Sequence, residues 1–416
     1  MRIAGLNISI LLKSLLILLI VGVLSFASLQ KITYVADIPD SKVKEYARMN
    51  DFVVYYGASL ITASNPEKLY DPKLNEETQY GLTNKHKDDL SPIHYLYPPY
   101  TLLFFAPLHY FPYVTAFYLW QAAMGICSLL VLVMFYYAGI CKNFKSLLFA
   151  SFLMASSLPY MSGVAEGQTV MLMLAGLLGC QLLCRYKYFA LAGFLLVITA
   201  FKPQLVIAPT LYLLIIYGGS LWRSAIASGL AIIAICTSIF GIYIWGDFLH
   251  AITSAGNDAT FIKLVLTKMC NLRMVLLWIF GAGNFFAVNM ASLLMLGVGV
   301  IISGSLGLRA RNQSQEVQEL GFALVIAISL FLSPWLHIHT MILLAIPVGY
   351  LLKYSGKKML CAVILSLAVL NPFLSALLFP GLTESYLGMN LALWVPAQLL
   401  LIAAIALRIF KPKSVG

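Results

Sequence analysis

The chain has 416 residues, of which 61% are hydrophobic and only 10% are charged. An ordinary soluble domain is about half apolar and about a quarter charged, so the composition excludes a soluble globular enzyme, a disordered protein and a disulfide-stabilised scaffold. The net charge of +11 is not concentrated in basic runs interleaved with aromatics. We therefore expect no nucleic-acid partner and attribute the basic excess to membrane topology and anionic lipid.

Long apolar stretches predict an all-α polytopic membrane protein that forms a single integral membrane domain over residues 1–416. The first stretch lacks a clear small-x-small cleavage site, so we expect it to remain as a signal anchor. Several stretches are short, as expected of tilted or broken helices in a bundle. About twelve transmembrane helices are predicted, near residues 14–30, 113–139, 146–164, 169–184, 188–201, 204–219, 224–246, 285–308, 318–335, 339–352, 359–379 and 389–408.

Short clusters of Lys and Arg separate these spans and predict their orientation. Residues 30–95 carry ten acids and eight bases and become a large extracytoplasmic first loop. The unusual polar residues gather on the same face, so we predict an active site that faces the periplasm or other extracytoplasmic side of the plasma (inner) membrane. With twelve spans and a cytoplasmic N-terminus, the clusters on the cytoplasmic side are Arg2/Lys13, Lys142/Lys145, Arg185/Lys187, Arg223, Arg309/Arg311, Lys353/Lys357/Lys358 and Arg408/Lys411/Lys413.

The first loop contains a predicted amphipathic helix over residues 41–63, where apolar residues recur at helical spacing. Ser41 is a plausible N-cap, and such a helix would lie at the membrane interface or over the bundle. Asp51 falls in its middle, where aspartate is unfavourable. The residue alone leaves two interpretations: a surface acid paired with Arg48, or a general base held over the face of the bilayer.

Two further features of the outer face suggest substrate contacts. Tyr97 belongs to an aromatic run that fits an interfacial belt and that could also stack on a sugar or a polyprenyl chain. Glu166-Gly167-Gln168 forms a predicted polar turn between two short spans. Glycine suits the turn, and the flanking side chains either serve the turn alone or hydrogen-bond a hydroxylated ligand.

Four basic or titratable residues of the outer face are candidate anion ligands. Lys202 lies between two apolar stretches, just before a proline and Gln204. A lysine at membrane depth costs about 2.5–3.5 kcal/mol, so Lys202 either snorkels to the interface or binds a phosphate. Arg273 is a further candidate. His337 and His339 either pack at the interface or bind a phosphate or a sugar hydroxyl.

No metal centre and no cofactor are predicted. The i, i+2 spacing of His337 and His339 does not place both side chains on one helix face. Cys180 and Cys184 share a helix face, but no further metal ligand lies near them in the sequence. We therefore interpret the cysteines as small apolar residues of the membrane helices.

Several short motifs occur in a characteristic order. The first outer loop contains Asp51-Phe52-Val53-Val54-Tyr55-Tyr56-Gly57-Ala58, then Lys68-Leu69-Tyr70-Asp71, then Tyr97-Pro98-Pro99. Later stretches are Gly167-Gln168, Lys202-Pro203 and Ser333-Pro334…His337-x-His339. In order and spacing, this set resembles glycosyltransferase family 87, the polyprenyl-phosphate-sugar-dependent transferases with the type-C glycosyltransferase fold. The chain departs from the family pattern at Val170, where the family often has Asn, and near Asn271.

The resemblance implies that Asp51 is the catalytic carboxylate. It implies transfer of one sugar, a hexose such as mannose or a pentose, from a polyprenyl phosphate to an acceptor hydroxyl, with inversion at the anomeric carbon. The expected acceptor is a glycolipid or a glycan, and the expected surroundings are membrane lipids. The expected ligands of the donor phosphate are Lys202, Arg273, His337 and His339. The expected substrate-binding residues are Tyr55, Tyr97, Glu166, Gln168 and Gln204.

The main alternative is a transporter or flippase for polyprenyl-linked sugars. Transporters usually contain internal repeats and carry ionisable groups near the middle of the membrane. No repeat is obvious here, and the polar groups lie on one face. A ligase- or polymerase-like enzyme with a diphosphate-linked donor would have its large outer loop late in the chain, whereas here the loop follows the first span.

Overall fold

The computed structural model describes residues 51–83, 94–255, 269–281, 284–355 and 394–410, with residues 360, 363, 364 and 366. These residues form helices and no strand. A 3₁₀ helix, Ile338–Leu344, leads directly into the α-helix that begins at Ala345. In chain order, the longer α-helices are α1 (Phe52–Ser64), α2 (Pro72–Thr83), α3 (Tyr113–Tyr137), α4 (Phe144–Ala155), α5 (Leu158–Ala165), α6 (Val170–Arg185), α7 (Phe189–Ile198), α8 (Pro203–Tyr217), α9 (Gly219–Phe240), α10 (Tyr243–Ala255), α11 (Leu272–Phe280), α12 (Phe285–Ala310), α13 (Gln315–Leu332), α14 (Ala345–Tyr354) and α15 (Val395–Phe410).

Membrane-spanning character is clear for four of the described helices. α3, α9, α12 and α13 are long and apolar enough to cross a membrane, and α4 with α5 forms a further candidate that is bent by 60°. α9 and α12 expose large aliphatic side chains such as Ile233 and Leu294, as expected of surfaces in contact with lipid. α13 is mostly buried and lies inside the bundle. The chain is therefore an integral membrane protein with four or five candidate spans.

The predicted number of twelve spans stays a prediction. Shorter apolar helices of 10–17 residues occupy most of the remaining predicted spans, and their length alone does not identify them as membrane-crossing. The predicted span 14–30 and most of 359–379 lie outside the described residues.

The first loop differs from the sequence expectation. We expected an amphipathic interfacial helix over 41–63, but the described part forms α1 from Phe52, and its nine buried residues lie on all sides of the helix. α2, the helical segments between 99 and 110, and α3 pack against α1. Because protein surrounds it, α1 has little of the one-sided polarity that a membrane-surface helix needs. Residues 41–50, including Ser41 and Arg48, lie outside the described residues.

Charged groups collect at two opposite ends of the bundle. At one end, buried Glu319 forms hydrogen bonds with four side chains, and we call these five residues the Glu319 cluster. The partners of Glu319 are Arg185 (3.4 Å), Lys353 (2.5 Å), Tyr354 (2.6 Å) and Gln315 (2.6 Å). Arg185 ends α6, a helix of 16 residues that is about 24 Å long. The N-terminus of α6 lies beside Gln168, where a second polar cluster is found. The two clusters are thus separated by roughly the length of one helix.

Candidate active site

Side chains from separate parts of the chain meet beside the N-terminus of α6. They are connected by hydrogen bonds, and Tyr55, Gln168 and His339 are almost completely buried. We call this group the Gln168 cluster. Its members are Asp51, Tyr55, Tyr97, Glu166, Gln168, Lys202 and His339.

Gln168 lies at the centre of the cluster and is 1% exposed. Its Nε2 donates a hydrogen bond to Oδ2 of Asp51. Its Oε1 accepts from Nζ of Lys202 and from the hydroxyl of Tyr55, both at 3.3 Å. An amide nitrogen only donates and an amide oxygen only accepts, so these partners fix the orientation of the Gln168 side chain. One amide thereby holds a carboxylate on one side and an ammonium on the other.

Lys202 also contacts a carboxylate–histidine pair. Its Nζ donates to Nε2 of His339 at 3.1 Å, and Nδ1 of His339 lies 2.8 Å from Oε2 of Glu166. With Nε2 as the acceptor, the neutral imidazole carries its proton on Nδ1 and donates it to Glu166. Oε1 of Glu166 accepts from the Ser162 hydroxyl at 2.7 Å. Ser162 and Glu166 therefore fix the ring of His339 with Nε2 toward Lys202.

The environment of Lys202 lowers the pKa of its ammonium group. The residue lies in the connection between α7 and α8, outside both helices. Loss of hydration lowers the pKa of Lys202 to about 8, while the charges of Asp51 and Glu166 act in the opposite direction. The ammonium is thus the main form at neutral pH and is lost at moderately alkaline pH.

Two members of the cluster, Asp51 and Lys202, are the N-cap residues of helices. Asp51 is the N-cap residue of α1, but its side chain makes no capping hydrogen bond. An N-cap aspartate usually accepts from the next turn of its own helix, whereas here Gln168 bonds the carboxylate. Lys202 precedes α8, whose first residue is Pro203. Proline is favoured at this position because it has no N–H to leave unpaired, so the predicted helix break is confirmed.

Gly167 places Glu166 and Gln168 on either side of a tight turn. Its φ is +68°, and a Cβ there would lie 2.8 Å from Cβ of Phe52. The Trp120 side chain donates to the Gly167 carbonyl at 2.7 Å, and the amide of Phe52 donates to the Glu166 carbonyl at 3.1 Å. Only glycine combines this backbone with this proximity. The turn predicted from the sequence is confirmed, and it is fastened directly to the start of α1.

Tyr55 and Tyr97 close one side of the cluster. Their hydroxyls are 2.7 Å apart, and Phe105 stacks on Tyr55 with centroids 4.4 Å apart. Since Tyr55 donates to Gln168, Tyr97 donates to Tyr55. Burial raises the pKa of Tyr97, and the charge of Asp51 raises it further, so its hydroxyl stays protonated. Tyr97 is thus part of the site rather than of a lipid-facing belt. Among the other aromatics of that run, Tyr110 and Phe111 are exposed.

His339 is positioned by an extended segment after α13, and residues 269–273 bind that segment. Nδ2 of Asn271 donates to the carbonyls of Leu330 (3.2 Å) and Ser333 (2.6 Å). The end of a helix leaves carbonyls without partners, and Asn271 satisfies two of them. The backbone of Cys270 adds a hydrogen bond to Leu336 at 3.0 Å, and Met269 forms an antiparallel bridge with His337. We call residues 269–273 the supporting segment.

Arg273 belongs to the supporting segment and not to the Gln168 cluster. It donates to the Pro334 carbonyl at 2.8 Å and to Asn289, and it lies over the ring of Trp335 at 4.5 Å. Burial lowers its pKa to about 10, so the guanidinium stays charged at neutral pH. The described contacts of Arg273 thus hold the backbone that leads to His339.

The structure places the other two predicted residues near the cluster without joining them to it by a described hydrogen bond. His337 stacks on His339 with ring centroids 5.5 Å apart and an angle of 11°. Gln204 is half-buried in the first turn of α8, two residues after Lys202. Their roles as ligands of phosphate or substrate remain predictions.

Three donor groups of the cluster could together hold a metal ion. One ligand atom each of Asp51, Glu166 and His339 lies within 4.8 Å of the others. This oxygen and nitrogen set would suit Zn²⁺ or Mn²⁺. The ammonium of Lys202 already lies against Nε2 of His339, so a divalent cation would have to bind close to a positive charge.

Sequence reasoning missed the residues that support the cluster. Ser162 fixes Glu166, Trp120 fixes the turn, and Asn271 fixes the segment before His339. A serine or a tryptophan in an apolar helix carries no sequence signal for such a contact. Asn271 did carry one, because an amide beside an arginine in an apolar region needs partners.

Comparison with known proteins gives one match. The family model described as glycosyltransferase family 87 matches residues 95–334, more than half of the chain. The matched region contains Tyr97, Glu166, Gln168 and Lys202, while Asp51 precedes it and His339 follows it. Comparisons with curated proteins and with solved structures gave no significant match.

Proposed function

The chain belongs to glycosyltransferase family 87, and from that premise we propose that it transfers one sugar from a polyprenyl phosphate to an acceptor hydroxyl. The proposed sugar is a hexose such as mannose or a pentose, and the proposed acceptor is a glycolipid or a glycan. One observation carries the proposal: the side-chain amide of Gln168 is bonded to the carboxylate of Asp51 and to the ammonium of Lys202. A base and a cation held by one rigid group are what a displacement with an anionic leaving group needs.

Asp51 acts as the general base in this proposal. The acceptor oxygen attacks the anomeric carbon while its proton passes to the Asp51 carboxylate. Attack from the side opposite the leaving phosphate inverts the anomeric configuration. Gln168 donates to Oδ2 of Asp51 and so holds the carboxylate in position beside the acceptor. General base assistance contributes roughly 10²–10⁴ in rate.

Lys202 stabilises the leaving group. As the bond between the anomeric carbon and the phosphate oxygen breaks, that oxygen keeps the electron pair and polyprenyl phosphate departs as a monoester. A fixed ammonium lowers the energy of the charge that develops there. Phosphate is already a good leaving group, so the mechanism requires no general acid. His339, held by Glu166, orients the ammonium of Lys202, and Arg273 and His337 remain candidates for further contact with the phosphate.

The location of the cluster supports an enzyme over a transporter. Asp51 and Lys202 precede α1 and α8, and Gln168 lies in the connection between α5 and α6. His339 is the second residue of the 3₁₀ helix Ile338–Leu344. The ionisable groups therefore converge at helix ends at one side of the bundle. A transporter that alternates access is expected to carry its binding groups near the middle of its helices.

The base assignment predicts a large loss of transfer in Asp51→Asn. Asparagine keeps the size of the side chain and an oxygen that can accept from Gln168, but it cannot take a proton. We expect the turnover number to fall by about 10²–10⁴ with a modest change in KM. The measurement is transfer from a panel of radiolabelled polyprenyl-phosphate sugars by purified protein in detergent, with linkage analysis of the product.

The matched control is Glu77→Gln, which neutralises an exposed acid of the first loop on α2. It should transfer sugar at the wild-type rate. Turnover of Asp51→Asn at the rate of this control would remove Asp51 as the base. The proposed donor class would be wrong if the wild-type protein used none of the polyprenyl-phosphate sugars but transferred sugar from a diphosphate-linked donor.

A further inference from the structure

An apolar cavity of about 100 Å³ lies between α4 and the helical segment that runs from Ile338 through α14. One wall includes Ala150 and Leu153 of α4, and the other includes Met341 and Ala345. Ser157 is the one polar residue of the lining, and its hydroxyl donates to the Met154 carbonyl at 2.7 Å. The cavity therefore offers a ligand van der Waals contact and little hydrogen bonding.

The bend between α4 and α5 creates this space. α4 ends at Ala155, and α5 continues at an angle of 60° with Pro159 in its first turn. The bend brings α5 against the 3₁₀ helix Ile338–Leu344 and leaves α4 apart from α14. Protein interiors are normally filled to crystal-like density, and atoms that line a void lose dispersion contacts. A ligand that enters the cavity restores those contacts.

Both walls of the cavity continue into the Gln168 cluster. α5 ends at Ala165, so Glu166 follows Pro159 by seven residues, or about 10 Å of helix rise. Met341 follows His339 by only two residues. Glu166 and His339 are bonded to each other, and His339 touches Lys202. The cavity thus begins about 10 Å from the cationic part of the cluster, where the proposal for the function puts the donor phosphate. Its lining continues away from that end to Leu352, next to Lys353 of the Glu319 cluster.

We propose that this cavity receives part of the isoprenoid chain of the donor. The inference rests on the proposed function, because only the donor carries its lipid on the phosphate. A cavity of about 150 Å³ holds a benzene molecule, so the volume suits roughly one branched five-carbon unit. Binding of the head group at Lys202 makes entry of the chain an intramolecular step. This gives the donor chain an advantage over the acyl chains of bulk phospholipids.

Filling the cavity from either wall tests the proposal. Ala345→Phe and Ala150→Phe each place a ring in the space, and Ala234→Phe places the same ring on the exposed surface of α9. We expect either cavity variant to raise KM about tenfold for a long-chain polyprenyl donor. With a donor of the same sugar on a single isopentyl chain, which cannot reach the cavity, KM should stay within about twofold. Ala234→Phe should leave both values unchanged.

Photolabelling separates this proposal from the proposed function, because it needs no transfer. Long-chain polyprenyl phosphate with a diazirine in its chain should label peptides from α4 or α14 in the wild-type protein. Labelling should be lost in Ala345→Phe and kept in Ala234→Phe. Three outcomes would overturn the proposal: equal KM changes for long and short donors, labelling confined to other helices, or equal competition by phosphatidylglycerol. Lack of sugar transfer combined with cavity labelling would contradict the enzyme function alone.

Discussion

A single amide couples the two charges of the candidate active site. Gln168 can hold Asp51 and Lys202 at once only because its nitrogen and oxygen bond to opposite partners. Burial of this amide makes each of its hydrogen bonds costly to break. The separation of base and cation is thus set by one side chain rather than by two flexible ones, which is the kind of positioning that lowers a reaction barrier.

The lowered pKa of Lys202 predicts an alkaline limit to activity. The protonated form is needed for the leaving phosphate, and its pKa is about 8. We expect kcat/KM to fall about tenfold per pH unit above that value. The bound donor phosphate raises the pKa of Lys202, so kcat should fall at a higher pH than kcat/KM. Initial rates between pH 6 and about pH 10 measure both profiles.

Lys202→Arg is the matched variant for this profile, because arginine has a higher pKa than lysine and keeps its charge well above pH 8. Its kcat/KM should be lower at neutral pH but should not fall near pH 8. Residual activity after a return to pH 7 controls for alkaline unfolding. A decline near pH 8 that persists in Lys202→Arg would assign the limit to another group.

We expect sugar transfer to be independent of metal ions. Asp51, Glu166 and His339 form a possible metal-binding set, but Lys202 supplies a fixed positive charge next to it. We expect transfer to continue within about twofold of the untreated rate after dialysis against EDTA. Loss of activity on chelation, with recovery on addition of Mn²⁺ or Zn²⁺, would contradict this expectation and assign a metal to these three residues.

The supporting segment positions the chain that leads to His339. α13 ends at Leu332, and the next five residues are not helical. Such a segment has no hydrogen-bond pattern of its own, so it needs partners from elsewhere in the fold. Asn271, Arg273 and the backbone of Cys270 supply them. His339, at the start of the 3₁₀ helix Ile338–Leu344, is therefore positioned by a short non-helical segment that residues 269–273 hold in place.

Asn271→Ala tests this support through its coupling to His339. Loss of two hydrogen bonds should let the segment shift and should lower kcat about tenfold. In a His339→Ala background the same change should lower kcat by less than about twofold, since the displaced group is already absent. The measurement is a double-mutant cycle on kcat, normalised to folded protein by gel filtration.

Asn284→Ala is the control, because Asn284 is exposed and its side chain caps α12 without contacting the supported segment. It should leave kcat unchanged in both backgrounds. Equal losses of kcat from Asn271→Ala in the two backgrounds would assign Asn271 to stability alone.

At the scale of the whole molecule, the helices that carry the site are fastened at both ends. α6 runs from beside Gln168 to Arg185, and the segment that starts at His339 runs to Lys353. Arg185 and Lys353 both contact Glu319, which is 1% exposed. Removing one partner of a buried ion pair costs about 3–5 kcal/mol. The Glu319 cluster thus holds together the far ends of the helices whose near ends form the site.

The sequence predicted the local features and missed the long-range pairings. A glycine between two polar residues predicts the turn at Gly167, and a proline predicts the break at Lys202, because each depends on nearby backbone chemistry. Lys202 stands out in the sequence because burial of an ammonium is costly, and Asp51 stands out because aspartate is unfavourable inside a helix. His339 is a candidate anion ligand of the outer face. The hydrogen bond from Gln168 to Asp51 and the pairing of Glu319 with Arg185 connect residues more than a hundred positions apart, so no local pattern encodes them. α1 was misjudged for the same reason, since its burial depends on distant segments.

Because the Glu319 cluster and the Gln168 cluster lie at opposite ends of the bundle, we predict that they lie on opposite sides of the membrane. Basic residues at the Glu319 end, among them Arg185, Lys353 and Arg408, favour the cytoplasmic side, which leaves the Gln168 cluster outside. Glu67 and Asn312 are exposed at positions on the two sides. In sealed right-side-out vesicles, an impermeant maleimide should label Glu67→Cys and should reach Asn312→Cys only after detergent is added. The wild-type chain is the blank, since its described cysteines are buried. Labelling of Asn312→Cys alone in sealed vesicles would reverse the orientation and put the proposed transfer on the cytoplasmic face.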